Sequence, residues 1–177
     1  MKKTFALIMA LMMSVSAFTG CKNKEESSSE EESSILEVMI PLEMPDIEIE
    51  IPDSYEITST QNNNTVYVKE DASVIVNSEN FTEAYDTLDE FVNFAEGAYR
   101  EYSDGIEILS KEKRSENCVV LEYIYSLVSV DGVFRKYNMV GFFTDGQKLY
   151  LVTCKADEDT YESYREEFLD IIESVNV

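Results

Sequence analysis

The sequence contains no histidine and no tryptophan. Without histidine the chain cannot form a Ser–His or Cys–His nucleophile or a histidine-ligated zinc site. Without tryptophan it lacks a side chain that is common at binding hot spots. Basic residues are also few, 14 against 36 acidic ones, and the formal charge is −22. Because binding to phosphates requires clustered Lys and Arg, this balance argues against nucleic acid as a partner, and also against a domain lying flat on an anionic membrane.

A long apolar run is also missing from the N-terminus. The chain begins with MKK, and the apolar residues 5–13, FALIMALMM, are far fewer than the ~20 needed to span a bilayer. This layout is typical of an export signal. Three interpretations follow: an uncleaved anchor, which would favour a longer apolar run; ordinary signal-peptidase cleavage after the small residues Val15 and Ala17; and a lipoprotein signal.

Residues 18–21, FTGC, resemble the lipobox of bacterial lipoproteins, although Phe18 stands where leucine is usual. The resemblance implies that residues 1–20 are a signal peptide and that Cys21 carries a diacylglyceryl group and an amide-linked third chain. Several chains are needed because each buried methylene contributes only ~0.8 kcal/mol. The resemblance therefore implies an exported protein that is held by lipid on the extracytoplasmic face of the membrane. A chance cysteine would leave the position of Cys21 at the end of the apolar run unexplained.

Residues 21–45 form a tether and an arm. Residues 22–34, KNKEESSSEEESS, contain no apolar side chain and are predicted to be disordered and extended. Residues 35–46, ILEVMIPLEMPD, are apolar again, but Pro41 and Pro45 exclude a helix interior and a central strand. We expect this arm to pack on the domain as an added strand or pinned segment, and the alternative is a partner-binding segment.

Residues 46–177 are predicted to fold as one domain. Alternating runs from residue 47, IEIEI, YEITS, TVYVK and SVIVN, are separated by turn formers and indicate short antiparallel strands. Thr87 and Glu90 have capping-box spacing, and the residues that follow form an apolar helical stripe. Its members are Leu88, Phe91, Val92, Ala95, Tyr99 and Tyr102.

The C-terminal half predicts a strand near residues 106–113, a three-stranded meander and a second helix. Asp131-Gly132 and Asp145-Gly146 are strong signals for two-residue hairpin turns, and Asp159 with Glu162 predicts the cap of the last helix. With two-residue loops, one face of the meander carries Leu121, Tyr123, Tyr125, Val140, Phe142, Leu149 and Leu151. The other carries Val120, Ile124, Val128, Met139, Phe143, Val152 and Cys154. Because both faces are apolar, we predict an α+β fold layered α/β/α, with an antiparallel sheet covered by two amphipathic helices.

The order of elements and the closing stretch YLVTCKADEDTYESYREEFLDIIESVNV resemble the PsbP-like superfamily. This family is named for a photosystem II accessory subunit and includes a Ran-binding nuclear transport factor and bacterial lipoproteins. Its members act mostly as accessory or binding modules. The resemblance therefore implies a binding role and brings no catalytic motif with it.

Two groups of residues could be interpreted as a disulfide and as a calcium site, but a structural role explains each of them better. Cys118 and Cys154 would lie eight residues apart along the middle strand, about 26 Å, whereas a disulfide spans at most about 7 Å. We therefore predict two free thiols, with Cys154 buried. The acidic run 157–159 lacks the central glycine and terminal glutamate of a calcium loop, so we expect it to cap the last helix.

The candidate binding site consists of Glu122, Gly141 and Tyr150, which fall in one row across the meander in the predicted register. A mid-strand glycine leaves room for a small depression beside a carboxylate and a phenol. The alternative is that Tyr150 fills the gap over Gly141 and bonds to Glu122. No second acid or base converges there.

These observations predict a membrane-anchored extracytoplasmic lipoprotein whose domain is a non-catalytic binding or accessory module for a component of the cell envelope. The alternative is a lipoprotein that binds a small ligand or cation near Glu122 and Tyr150. An enzyme ranks third, since nothing singles out two catalytic carboxylates among the 36 acids. No cofactor or metal is expected.

Overall fold

The computed structural model of the chain describes residues 47–61, 63–81, 85–102, 105–130 and 132–177. The predicted signal peptide, the lipidation site Cys21, the tether and the arm of residues 35–46 lie outside the described residues. None of the described helices is both long and apolar enough to cross a bilayer.

The described residues form a seven-stranded antiparallel sheet and two helices, which confirms the predicted α+β class. The strands lie in the order β1-β2-β3-β7-β6-β5-β4. The elements along the chain are β1 (Glu56–Gln61), β2 (Asn64–Lys69), β3 (Ala72–Asn80), α1 (Leu88–Tyr102), β4 (Ile106–Ser115), β5 (Cys118–Ser129), β6 (Gly132–Thr144), β7 (Lys148–Asp157) and α2 (Tyr161–Glu173).

The two helices cover opposite faces of the sheet, as predicted. Phe91 of α1 packs edge-on against Phe142, with ring centroids 6.2 Å apart. The next residue on β6, Phe143, belongs to the core cluster that includes Phe168 of α2. Because successive residues of a strand point to opposite faces, these two contacts place one helix on each side. The layered α/β/α arrangement is therefore confirmed.

The start of α1 has the predicted capping box. The Glu90 N–H donates to Thr87 Oγ1 at 3.2 Å, and the Glu90 carboxylate accepts from the N–H of Asp86 at 3.0 Å. The start of α2 differs from the prediction. This helix begins at Tyr161, and its N-cap Thr160 makes no side-chain capping bond. The predicted cap at Asp159 and Glu162 is therefore wrong.

Both hairpins of the meander pair two residues away from the predicted register. Ser129 pairs with Gly132, which starts β6 with φ 137°. Thr144 pairs with Leu149, so the second turn is longer than the Asp-Gly signal predicts. Its physical reason is Asp145, whose Oδ1 accepts the N–H groups of residues 147 and 148 at 2.8 and 2.7 Å. These bonds stabilise a wider turn in place of the two-residue one.

A shift of two residues leaves every side chain on its predicted face, because side chains alternate with period two. The predicted thiol geometry is changed by the same shift. Cys118 pairs with Phe143 and Cys154 with Met139, which is four residues of offset along β6, about 13 Å, instead of eight. That separation is still too long for a disulfide. Both thiols are free and Cys154 is fully buried, as predicted.

The run IEIEI at residues 47–51 is not a regular strand of the sheet. It makes a single bridge, Glu48 to Asn176, and the N–H of Glu50 donates to Ser174 Oγ at 2.9 Å. Its isoleucines are partly buried against the core. The alternation of this run therefore reflects packing beside the C-terminal end of α2 rather than a strand within the sheet.

Candidate functional site

The three residues of the predicted site do not share a row. Glu122 lies opposite Met139, and Gly141 lies between Val120 and Val152. Tyr150 pairs with Phe143, four residues along β6 from the partner of Glu122. The predicted row is therefore wrong because of the two-residue register shift. Ligand binding by Glu122 and Tyr150 stays a prediction. Because the two residues lie at different positions along the sheet, they would not contact a small ligand side by side.

The space above Gly141 is occupied. A Cβ atom at Gly141 would lie 2.6 Å from Phe143 Cε2 and 3.1 Å from Ile172 Cγ2. The hydroxyl of Tyr150 donates to Asp145 Oδ2 at 3.3 Å, so Tyr150 is not bonded to Glu122 as the alternative arrangement required. Gly141 is needed for the close approach of Phe143 and α2 rather than for a depression.

Glu122 is a buried carboxylate in the middle of β5, and its oxygens have protein partners. The Tyr161 hydroxyl donates to Oε1 at 2.5 Å, and the Arg165 guanidinium donates to both oxygens at 3.2 and 3.3 Å. Ser110 of the neighbouring strand donates to Oε2 at 3.3 Å. The first two turns of α2 thus supply two of the three side chains, Tyr161 and Arg165, which lie one turn apart on the face that meets the sheet.

The charge of Glu122 is stabilised in place. Burial acts to raise the pKa of Glu122, but hydrogen bonds from Arg165 and Tyr161 outweigh it and hold the pKa below its usual value. Burial together with the bond to Glu122 raises the pKa of Tyr161. The group therefore consists of a carboxylate, a neutral phenol and a cation at neutral pH, and it holds α2 on the sheet.

A second polar group ties the other side of α2 to the sheet. Glu167 accepts from Lys69 at 2.8 Å and from the Tyr55 hydroxyl at 2.7 Å. The Lys69 ammonium also lies 5.3 Å from the ring centroids of Tyr55 and Tyr164. Burial acts to raise the pKa of Glu167, but the bonds from Lys69 and Tyr55 lower it overall. This group, like the first, is explained by packing of the helix.

The acidic turn after β7 pairs with β6. Arg135 donates to Glu158 Oε1 at 2.6 Å, and Lys136 forms an ion pair with Asp157. The predicted role of residues 157–159 as a side-chain cap of α2 is therefore wrong, since these two carboxylates neutralise neighbouring cations. Within the part of the chain that the structure describes, no group of three or more His, Cys, Asp or Glu residues is placed to hold a metal ion.

Among the described residues, the most exposed apolar side chains lie at the end of the β5–β6 hairpin. β7 pairs with β6 only from Lys136 onward, and β4 pairs with β5 only as far as Tyr125. Ser126 and Arg135 each still make one backbone hydrogen bond, to Gly105 and Glu158, so residues 127–130 and 132–134, which we call the finger, are the part that extends beyond both neighbours. Its exposed apolar side chains are Val128 (83 %), Val130 (102 %), Val133 (62 %) and Phe134 (53 %).

The finger was not predicted from the sequence. Val128 was expected on a covered face, but it is 83 % exposed, beyond the residues where β4 and β7 pair with the hairpin. The lengths of the strand-like runs could have indicated it, because the two runs on either side of Asp131-Gly132 are longer than the runs of the neighbouring strands. β5 and β6 have 12 and 13 residues, whereas β4 and β7 have 10 each. A hairpin of longer strands between shorter ones must overhang the sheet.

The fold is similar to three solved structures. One is the Ran-binding protein Mog1p of Saccharomyces cerevisiae, at 10 % identity and TM-score 0.53, covering 74 % of this chain and 89 % of that one. Another is LpqN of Mycobacterium tuberculosis, described as involved in cell envelope biogenesis. Its identity is 13 % and its TM-score 0.52, and the match covers 73 % of this chain and 82 % of LpqN. The third is the cyanobacterial PsbP protein of Synechocystis. Its identity is 16 % and its TM-score 0.53, and the match covers 74 % of this chain and 86 % of that protein.

No family model and no curated protein matches the sequence. At such low identities the structural similarity shows the fold and not the function. The described domain therefore has the α+β fold of Mog1 and PsbP-like proteins, as the resemblance in the sequence implied.

Proposed function

We propose that this protein is an extracytoplasmic lipoprotein, anchored by lipid at Cys21, whose domain is a non-catalytic binding or accessory module for a component of the cell envelope. The observation that carries the binding role is the exposed apolar finger. Single exposed apolar side chains are common on soluble proteins, but a contiguous group on a protruding element is typical of an interaction site.

The anchor is supported by the N-terminal sequence. A basic start, an apolar run of signal-peptide length and the FTGC sequence at residues 18–21 occur in the required order. The strongly acidic, serine-rich residues after Cys21 would separate the domain from the lipid.

A non-catalytic role is supported by the two carboxylates that hold α2 on the sheet, the buried Glu122 and the partly buried Glu167. Glu122 and Glu167 each accept hydrogen bonds from a cation and a tyrosine, and these bonds lower the pKa of both carboxyl groups. A general acid would instead need a raised pKa, so that it carries a proton near neutral pH. The similar structures favour the same role by analogy of fold: one is named as Ran-binding and another as involved in cell envelope biogenesis.

Replacement of the lipidated thiol tests the anchor. We expect Cys21→Ser to move the protein from the membrane fraction to the soluble extracytoplasmic fraction. Cys118→Ser is the matched control, because Cys118 is a partly buried thiol of the sheet, and it should stay in the membrane fraction. If the Cys21→Ser protein is exported and remains in the membrane fraction, an uncleaved apolar anchor replaces the lipid in this proposal.

A further inference from the structure

The finger projects from the sheet as an isolated ribbon. Its last pairs are Val128 with Val133 and Ser129 with Gly132, and no third strand of the described residues pairs with them. Three residues of each strand project beyond the sheet, which corresponds to about 10 Å. An isolated two-stranded ribbon is marginally stable in water, so one that exposes valine and phenylalanine gains stability from a surface that covers it.

The finger lies at the end of the domain opposite to the point where residue 47 enters. That point is beside the C-terminus of α2, where Glu48 bonds to Asn176. The adjacent Glu173 pairs with Arg114 at 3.2 Å, near the β4–β5 turn and the row of Phe143. From that row to Gly132 is 11 residues of β6, about 36 Å. The domain is thus entered at one end and presents the finger at the other.

The base of the finger is bordered by carboxylates. Arg135 lies between Glu107 and Glu158, at 3.5 and 2.6 Å, so its charge is already balanced by both. The exposed Asp159 and Glu162 follow where the chain turns into α2. Lys136 is paired with Asp157, and the nearby Lys155 is half-buried, with its pKa lowered by burial and by Lys136. Carboxylates therefore outnumber cations around the apolar side chains of the finger. We call Glu107, Glu158, Asp159 and Glu162 the acidic rim.

We propose that the finger docks into an apolar cleft of a partner protein whose border carries Lys and Arg side chains that face the acidic rim. The proposal rests on the binding role proposed above and specifies the chemistry of the partner. Charge complementarity favours this occupant over an anionic bilayer, which the rim and the overall charge of −22 repel. It also disfavours a second copy of the chain, which would bring two acidic rims together.

Photocrosslinking in cells tests which kind of molecule contacts the finger. The full chain carries p-benzoylphenylalanine in place of Val130 or, as the control position at the opposite end, in place of Glu116. We expect the probe at 130 to crosslink a different protein, and mass spectrometry should place the crosslink in an apolar segment with Lys or Arg close by. Asp159→Asn/Glu162→Gln should lower the yield by about two- to fivefold, because two exposed ion pairs contribute that much together.

The matched charge control is Asp86→Asn/Glu116→Gln, which removes two exposed carboxylates away from the finger and should leave the yield unchanged. A crosslink to phospholipid, a crosslink to a second copy of the chain, or equal losses in both charge variants would overturn the proposal. A partner captured at position 116 but not at 130 would also overturn it while the binding role survives. If neither position captures a partner in correctly anchored protein, the binding role itself fails.

Discussion

Replacing Glu122 by leucine should destabilise the domain mainly by leaving the Tyr161 hydroxyl without an acceptor. Tyr161 is 1 % exposed, so its O–H cannot turn to water when the carboxylate is removed. An orphaned buried hydroxyl costs about 1–3 kcal/mol. Arg165 also loses its partner, but its side chain is 41 % exposed and regains water, so it adds at most about 1 kcal/mol. We expect a total loss of about 2–3 kcal/mol in the free energy of unfolding.

A second substitution separates the orphaned hydroxyl from other effects. Tyr161→Phe alone should cost about 1–2 kcal/mol, since a hydrogen bond to a charged acceptor is lost. In the double variant no hydroxyl is left to be orphaned, so the combined loss should be about 2 kcal/mol rather than the sum of the two single losses. Tyr164→Phe is the control, because its bond to the exposed Glu70 is longer, at 3.2 Å, and it should cost less than about 1 kcal/mol.

Urea unfolding followed by circular dichroism measures these differences, and pH supplies an independent check. Because the folded pKa of Glu122 is lowered, its contribution is fully present above the unfolded value of about 4.3 and is lost as the pH falls through the folded pKa. The stability gap between the native protein and Glu122→Gln should therefore narrow below about pH 4. Additive losses in the Glu122→Leu/Tyr161→Phe variant, or a gap that widens in acid, would refute the reasoning.

Two further predictions concern the same face of the sheet. Gly141→Ala should destabilise the domain by about 1–3 kcal/mol, because its Cβ would overlap the Phe143 ring, and Phe143→Leu should recover part of this loss in thermal unfolding. Burial raises the pKa of the Cys118 thiol to about 11, and Cys154 is fully buried. Both should therefore resist iodoacetamide at pH 8 and react rapidly in urea, and rapid labelling of Cys154 in the native protein would contradict the burial.

The parts of the fold that depend on periodicity could be predicted from the sequence. The helical stripe places Phe91 and Val92 on the buried face of α1, and alternation along β5–β7 assigns each side chain to the correct face. Face assignment is robust because it depends only on parity, and a register shift of two residues preserves it. The layered arrangement then follows, since a sheet that is apolar on both sides requires a helix on each side.

The register and the candidate site could not be predicted, because they depend on bonds that periodicity does not encode. Asp145 widens the second turn through two bonds to backbone N–H groups, and the resulting register shift, together with the shift in the first hairpin, separates Glu122 from Tyr150. The partners of Glu122 lie 39 and 43 residues away, at Tyr161 and Arg165. Such a contact is fixed by how the helix docks on the sheet, which is a property of the whole domain.

The two partly buried ion pairs that hold α2 on the sheet also determine how the finger and the acidic rim are presented. Arg165 reaches the sheet on one side of α2 and Glu167, two residues later, on the other, so the helix cannot rotate without breaking a pair. The turn that leads into it is joined to the base of the finger, because the Glu158 N–H donates to the carbonyl of Arg135 at 3.2 Å. The rim and the finger thus keep a constant spacing before any partner arrives. Since ordering mobile groups opposes binding, a preset spacing lets the apolar tip and the carboxylates engage a partner together.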